Sequence, residues 1–326
     1  MIIDGHCDTL WRLLANKQTD LATPSENGHL DFPGLVKGGV VAQFFAVFIE
    51  PEYKPDRALH RALQYIDCFY RQMEKCPGIS LVHDAREIRE NINRGVISAV
   101  LALEGGEPVL DLECLRVFHR LGVRSIGLTW NQRNHIADGV GESGTGGRLS
   151  SFGVRLVGEM NRLGILVDVS HLSEPGFWHV IEISKRPVVA THSNCKSLCP
   201  NRRNLTDEQL AALGRSGGVV GITMPPDFVS SEPEGADVDK LVDHIEHALA
   251  LAGESAVGLG SDFDGTERLV KGISGVADYP RVLEAMQRRG FSDELVEKVA
   301  WKNWLSVMEA AWGGAVTEDA GDAKDA

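Results

Sequence analysis

Residues 165–192 read ILVDVSHLSEPGFWHVIEISKRPVVATH. An apolar, β-branched run ends in Asp168-Val169-Ser170-His171, helical periodicity covers 175–184, and a second apolar run over 188–192 ends in Thr191-His192. Short apolar runs without polar alternation are how a strand looks when both of its faces are buried, as in a parallel sheet covered by helices. The stretch therefore reads as strand, helix, strand, with a histidine at the carboxyl end of each strand.

The same unit repeats outward in both directions. Strands are expected at 1–8, 40–49, 97–104, 125–130, 165–171, 188–192, 219–224 and 257–262, and helices at 55–73, 110–121, 152–163, 175–184, 206–216, 238–252, 279–289 and 292–311. Thr206 with Glu208, and Ser292 with Asp293 and Glu294, read as helix starts. Gly122, Gly164 and Gly217 read as helix stops. Eight strands alternating with helices in one run favour a closed (β/α)8 barrel of the TIM type, in the α/β class, over an open sheet. No linker interrupts the pattern, so residues 1–312 read as a single barrel domain. Residues 313–326, acidic and without periodicity, read as a disordered tail.

The chain has 326 residues, 43% hydrophobic and 24% charged, with 33 Lys+Arg against 46 Asp+Glu and a net charge of −13. A surface this acidic repels phosphate backbones and anionic lipid, which disfavours nucleic-acid and membrane partners. No apolar run reaches the roughly 18 residues that cross a bilayer. The opening MIIDGHCD lacks the basic and long apolar stretches of a secretory signal, so a cytoplasmic location is expected. Six scattered cysteines read as free thiols in a reducing compartment.

In such a barrel, reactive groups belong at the carboxyl ends of the strands. There the sequence places His6-Cys7-Asp8, Glu104-Gly105-Gly106, His171, His192 and Asp262. Alternation along a strand turns His6 and Asp8 to one side and Cys7 to the other. Imidazole and carboxylate together suit zinc or a similar divalent ion. His6, Asp8, Glu104, His171 and His192 are more donors than one tetrahedral site with an open position needs. Two ions sharing Glu104 as a bridging carboxylate use all five and leave room for a bridging hydroxide. Taken singly, each residue has a plainer reading as a cap or a hydrogen-bonded loop group; joint placement on one rim lifts the set. Asp168 reads as a supporting residue. Histidines 29, 60, 83, 119, 179, 244 and 247 read as solvated surface, and Cys195 and Cys199 as structural thiols. His135, in the glycine-rich loop after the 125–130 strand, is a further candidate.

DGHCD at 4–8, LEGG at 103–106, DVSH at 168–171, THS at 191–193, RRN at 202–204 and GSDFDG at 260–265 occur in this order. Together they make the chain resemble the membrane dipeptidase (renal dipeptidase) family, peptidase family M19, from Asp4 to about Leu305. The resemblance implies a (β/α)8 barrel of the metallo-dependent hydrolase type, carrying two Zn2+ ions per subunit and hydrolysing dipeptides. Carried over position by position, it gives His6, Asp8 and Glu104 to one zinc and Glu104, His171 and His192 to the other. Asp262 matches the carboxylate that handles protons, and Arg203 the arginine that grips the substrate's C-terminal carboxylate, a task suited to its planar fork. The family's substrate-binding histidine falls at Trp130, with His135, five residues on, as the expected substitute. Members are often dimeric, which makes a homodimer one expected assembly, and dipeptides with a C-terminal D-residue are candidate substrates.

Three rival readings stand beside this one. The same rim suits an amidohydrolase acting on an N-acyl amino acid or a cyclic amide, and it suits a barrel that holds zinc without turnover. DFDGT at 262–266 resembles the signature of haloacid-dehalogenase-like phosphatases, but those enzymes carry it on their first strand, and here it follows the last.

Overall fold

The computed structural model describes residues 1–16 and 19–313; the acidic stretch expected to form a tail lies, from 314 onward, outside the described residues. Among the described residues nine strands form: β1 (Ile2–Asp4), β2 (Val40–Phe48), β3 (Ile79–Leu81), β4 (Ile97–Glu104), β5 (Val123–Gly127), β6 (Leu166–Asp168), β7 (Val188–Val189), β8 (Val220–Ile222) and β9 (Val257–Leu259). All pairings are parallel, in the order β7-β6-β5-β4-β2-β1-β9-β8. A bridge between Ala190 and Val220 brings the two ends of that order together. The result is the (β/α)8 barrel that the alternation implied, with helices on the outside.

The longest ladder, seven residue pairs from Ala42–Ser98 to Phe48–Glu104, joins β2 to β4 and carries Glu104 to the rim. Alternation along these strands sorts their side chains into two clusters. Ile3, Ala42, Phe44, Val100, Ala102, Leu166 and Val189 pack with Trp304 of the last helix. Phe45, Val47, Leu101, Leu103 and Val167 pack instead with apolar helix residues such as Phe69, Leu115 and Leu156. Trp304 is fully buried and donates its indole N–H to the Leu259 carbonyl at 2.9 Å. Two glycines make room for it: a Cβ on Gly5 would lie 2.4 Å from the ring, and one on Gly258 2.5 Å from it.

Several elements escape the sequence pattern: helices over Thr9–Ala15 and Phe32–Gly38 between β1 and β2, then β3 and the helix after it. β3 pairs with the first half of β4, below the point where β5 takes over. A helix over Ala85–Arg94 follows it, capped by the Asp84 side chain and stopped by Gly95 in the left-handed region. That helix buries only Ala85, Ile88 and Asn91, half-buries Ile92 and is otherwise charged or polar, so its apolar stripe is too thin to stand out in the sequence. Several strands are also shorter than expected. His171, His192 and Asp262 lie beyond the last paired residues of β6, β7 and β9, and His171 and Asp262 adopt φ of 65° and 64°, which ends the pleat. Thr206 does start a helix, and it shares a capping box with Gln209. Among the described residues, no helix is long and apolar enough to cross a membrane.

Trp304→Ala removes the largest buried side chain of the inner cluster, and it is expected to cost about 3–5 kcal/mol of stability, measured as a shift in the chemical denaturation midpoint.

Candidate active site

The five expected metal donors and Asp262 meet in one buried cluster at the carboxyl ends of the strands. Glu104 stands at its centre. Its Oε2 lies 3.6 Å from His6 Nε2, and its Oε1 lies 2.9 Å from His171 Nε2 and 3.6 Å from His192 Nε2. On the first side, His6 Nε2 is 3.4 Å from Asp8 Oδ2 and 4.0 Å from Asp262 Oδ1. Donor atoms of His6, Glu104 and His192 lie within 4.8 Å of one another, as do those of His6, Asp8 and Asp262. Cys7 points away into the core, so the side-to-side alternation read from the sequence survives even though regular strand ends at Asp4.

Polar neighbours orient the imidazoles. Asn131 Oδ1 lies 2.8 Å from His171 Nδ1. Thr191 Oγ1 lies 2.9 Å from His192 Nδ1 and donates its own proton to Asp168 Oδ2 at 2.5 Å. Asp168 Oδ1 accepts from the backbone N–H groups of Ser170 and Thr191, at 2.9 and 3.0 Å. With both Nδ1 atoms donating, the two Nε2 lone pairs face one another at 2.9 Å, a contact that calls for a cation between them. Outer partners of this kind fix the tautomer of a metal-binding histidine. Asp168 thus acts on His192 through Thr191, the supporting role read for it.

The electrostatics point the same way. Burial, with Arg203 nearby, pushes His171 down to about 3, and burial together with His6 and Arg203 holds His192 well below its usual value. Both imidazoles are therefore neutral near pH 7. Burial alone would lower His6, but Glu104 and Asp8 outweigh it and pull His6 well above the ordinary histidine value. Burial, and then the charge of Glu104, drives Asp8 well above the carboxylate range. Three carboxylates buried together want positive charge, and Asp8 Oδ1 has no hydrogen-bond partner among the described residues. The donor set fits divalent metal.

A cavity of about 550 Å³ opens over the cluster, lined in part by Trp11, Phe48, Trp130, Arg203 and Phe228. Arg203 is buried, with its guanidinium 5.6 Å from the Phe228 ring and one N–H donating to the His192 carbonyl at 3.0 Å. Among the described residues its Nε has no hydrogen-bond partner, and burial lowers its pKa. Trp130 forms a wall between Phe48 and His171, with ring centroids at 5.1 and 5.9 Å, and Lys54 Nζ lies 5.0 Å from its ring.

His135 is not brought to this cavity. Its Nε2 lies 2.8 Å from the Val109 carbonyl and its ring stacks on Phe152 at 5.2 Å, so it holds a loop, and the expectation that it contacts substrate is set aside. Of the seven histidines expected at the solvated surface, His244 is buried and four, 29, 119, 179 and 247, are half-buried. His244 is buried, accepting from the Cys195 N–H at 3.1 Å and donating to the Val229 carbonyl at 2.9 Å. His29 accepts from the Asp264 N–H at 3.1 Å. Asp264 itself is occupied by Thr9 Oγ1, the His29 N–H and Arg12, at 2.7, 2.8 and 3.2 Å. It is a brace for the 9–30 segment, which disposes of the phosphatase reading together with the barrel topology. Asn131, Thr191, Phe48 and Phe228 were not singled out from the sequence.

A closed parallel barrel with a buried imidazole–carboxylate cluster at its carboxyl rim has the build of a metal-dependent hydrolase. A family model described as membrane dipeptidase (peptidase family M19) matches residues 1–318. Dipeptidase tcpJ of Claviceps purpurea (strain 20.1) is 34% identical over 321 residues, which is 94% of this chain and 76% of that protein. A solved dipeptidase of metallopeptidase family M19 shares 33% identity with a TM-score of 0.90, over 96% of this chain and 99% of that one. A metallopeptidase from Rhodobacter sphaeroides, solved with a phosphinate mimic of the dipeptide L-Ala-D-Ala, shares 32% identity with a TM-score of 0.90, over 95% and 99% of the two chains. The chain belongs to the membrane dipeptidase family, peptidase family M19, and is a metallo-dipeptidase.

Thr191→Val breaks the link from Asp168 to His192 while keeping side-chain shape. Metal affinity is expected to fall about ten- to a hundredfold, as read by competition with a chelator.

Proposed function

We propose that the protein hydrolyses free dipeptides, those with a C-terminal D-residue included, and that its metal centre holds two zinc ions sharing Glu104. The observation that carries this reading is the posture of Glu104, one oxygen toward His6 and the other toward His171 and His192. His6 and Asp8 would complete one ion's ligands, and His171 and His192 the other's. A pair of zinc ions, when bound, supplies hydroxide at neutral pH and polarises the peptide carbonyl.

The remaining work falls to the chain's own residues. Arg203 receives the substrate's free carboxylate: it is a buried fork with no carboxylate salt-bridged to it among the described residues, and a partner would satisfy its open donors. Anchoring that end at a fixed distance from the metal cluster restricts the substrate to very short peptides. Asp262, on the cavity wall beside His6, takes a proton from the attacking water and returns it to the amine that leaves as the peptide C–N bond breaks. Burial raises its pKa, which makes it a better proton acceptor than an exposed aspartate. Phe228 flanks the carboxylate end, and Trp130 and Phe48 wall the opposite side. The Rhodobacter relative's complex with an L-Ala-D-Ala mimic supports the stereochemical part of the reading.

The test is a dipeptide library containing L,D pairs, with N-acyl amino acids alongside, assayed on zinc-loaded protein. Dipeptide turnover is expected, and Asp262→Asn should lower kcat by about 10²- to 10⁴-fold with metal content unchanged. Arg203→Met should act mainly through KM, raising it by about tenfold or more, since it removes a charge-assisted bidentate contact. Turnover of N-acyl amino acids alone would favour the amidohydrolase reading, and wild-type turnover in Asp262→Asn would refute the role given to that residue.

A further inference from the structure

Asp4 opens the 4–8 segment, and no step described so far uses it. It is completely buried and, among the described residues, has no cationic partner. Its Oδ1 accepts from the backbone N–H groups of Ser261 and His6, at 2.8 and 3.3 Å, and its Oδ2 accepts from Ser261 Oγ at 2.7 Å. Ser261, equally buried, has its Oγ 3.0 Å from the His6 carbonyl and accepts from the Phe263 N–H at 3.2 Å. The Asp262 N–H donates to that same His6 carbonyl at 3.3 Å.

These contacts lie between the Asp4–Leu259 pair and a parallel bridge joining Cys7 to Phe263. Regular pairing of β1 with β9 is confined to Asp4 and Leu259, yet His6 and Asp262 lie beyond it on adjoining segments. The backbone they fix is strained, with Asp262 and Asp264 at φ of 64° and 65°. Left-handed aspartates persist only where the surroundings over-determine them. Space is tight as well: a Cβ on Gly265 would lie 2.2 Å from Asp8 Oδ2 and 2.3 Å from Asp262 Oδ1.

We propose that Asp4 is a positioning residue of the active site: through Ser261 it locks the His6 imidazole and the Asp262 carboxylate into one frame. The proposal rests on the roles given to His6 and Asp262 in the dipeptidase reading. Neither Arg203 nor Phe228 hydrogen-bonds to Asp4 or Ser261, so the bracket acts on the chemistry and on the His6 side of the metal centre. Substrate grip is left alone. His171 and His192 keep their own supports in Asn131 and Thr191.

The test compares full-length, zinc-loaded wild type with Ser261→Ala, Asp4→Ala and Asp4→Asn, measuring kcat, KM, chelator-driven metal release and thermal midpoint. In Ser261→Ala, kcat is expected to fall about tenfold with KM within about twofold, and one metal equivalent to leave about tenfold faster than the other. Asp4→Ala should lose more than Ser261→Ala does. Asp4→Asn keeps an oxygen for the two backbone N–H groups and frees the serine proton for the His6 carbonyl, so it should recover most of the Asp4→Ala loss. Wild-type kcat and metal release per folded molecule in Ser261→Ala would overturn the proposal, even with a lowered thermal midpoint, because that is what a mere staple of the fold does. A rise in KM at unchanged kcat would overturn it too. Metal release needs no substrate, so it judges the bracket independently of whether the wild type turns over dipeptides.

Discussion

Glu104 holds one carboxylate oxygen toward His6 and the other toward His171 and His192 in a place that water hardly reaches. Most of what is unusual about this chain follows from that posture. Buried carboxylates and imidazoles this close are costly unless a cation joins them. The fold must therefore hold them in place while leaving their lone pairs free. It does so with partners behind two of the imidazoles: Asn131 behind His171, and Asp168 through Thr191 behind His192. Glu104 itself ends the longest and best-paired ladder of the barrel.

The barrel explains why such an arrangement can be built at all. Its rigid part is the set of paired strands, filled from within by Phe44, Val100, Leu166 and Trp304. Its chemistry lies just past the last paired residues, where the backbone leaves the pleat and adopts left-handed conformations at His171 and Asp262. A scaffold that is over-packed with respect to those few residues can carry their strain. Arg203, reaching in after β7, then supplies a buried cation on the cavity wall with no carboxylate salt-bridged to it among the described residues.

Much of this was legible in the sequence. Parallel strands buried on both faces announce themselves as apolar runs, and residues 97–104, 165–171 and 188–192 did so with the site residues attached to their ends. The helix over Ala85–Arg94 was not legible, because its buried stripe amounts to Ala85, Ile88 and Asn91 on a charged cylinder. β3 is three residues long and shares an edge of β4 with β5, which no periodicity shows. In the site, the candidate donors stand out because histidine and carboxylate are scarce at strand ends; Asn131 and Thr191 do not, since such polar residues are common there. His135 and His244 show the converse limit: whether a loop or helix histidine faces a cavity, a carbonyl or solvent depends on packing far away in sequence, at Val109 and Phe152 for one and at Cys195 and Val229 for the other.

The central claim is that one carboxylate joins two cations. The most direct measurement is a crystal structure of the zinc-soaked protein with anomalous diffraction recorded on both sides of the zinc edge. Two full peaks are predicted, one between Glu104 Oε2 and His6 with Asp8, the other between Glu104 Oε1 and the pair His171 and His192. A single peak, or two peaks of which only one touches Glu104, would contradict the account.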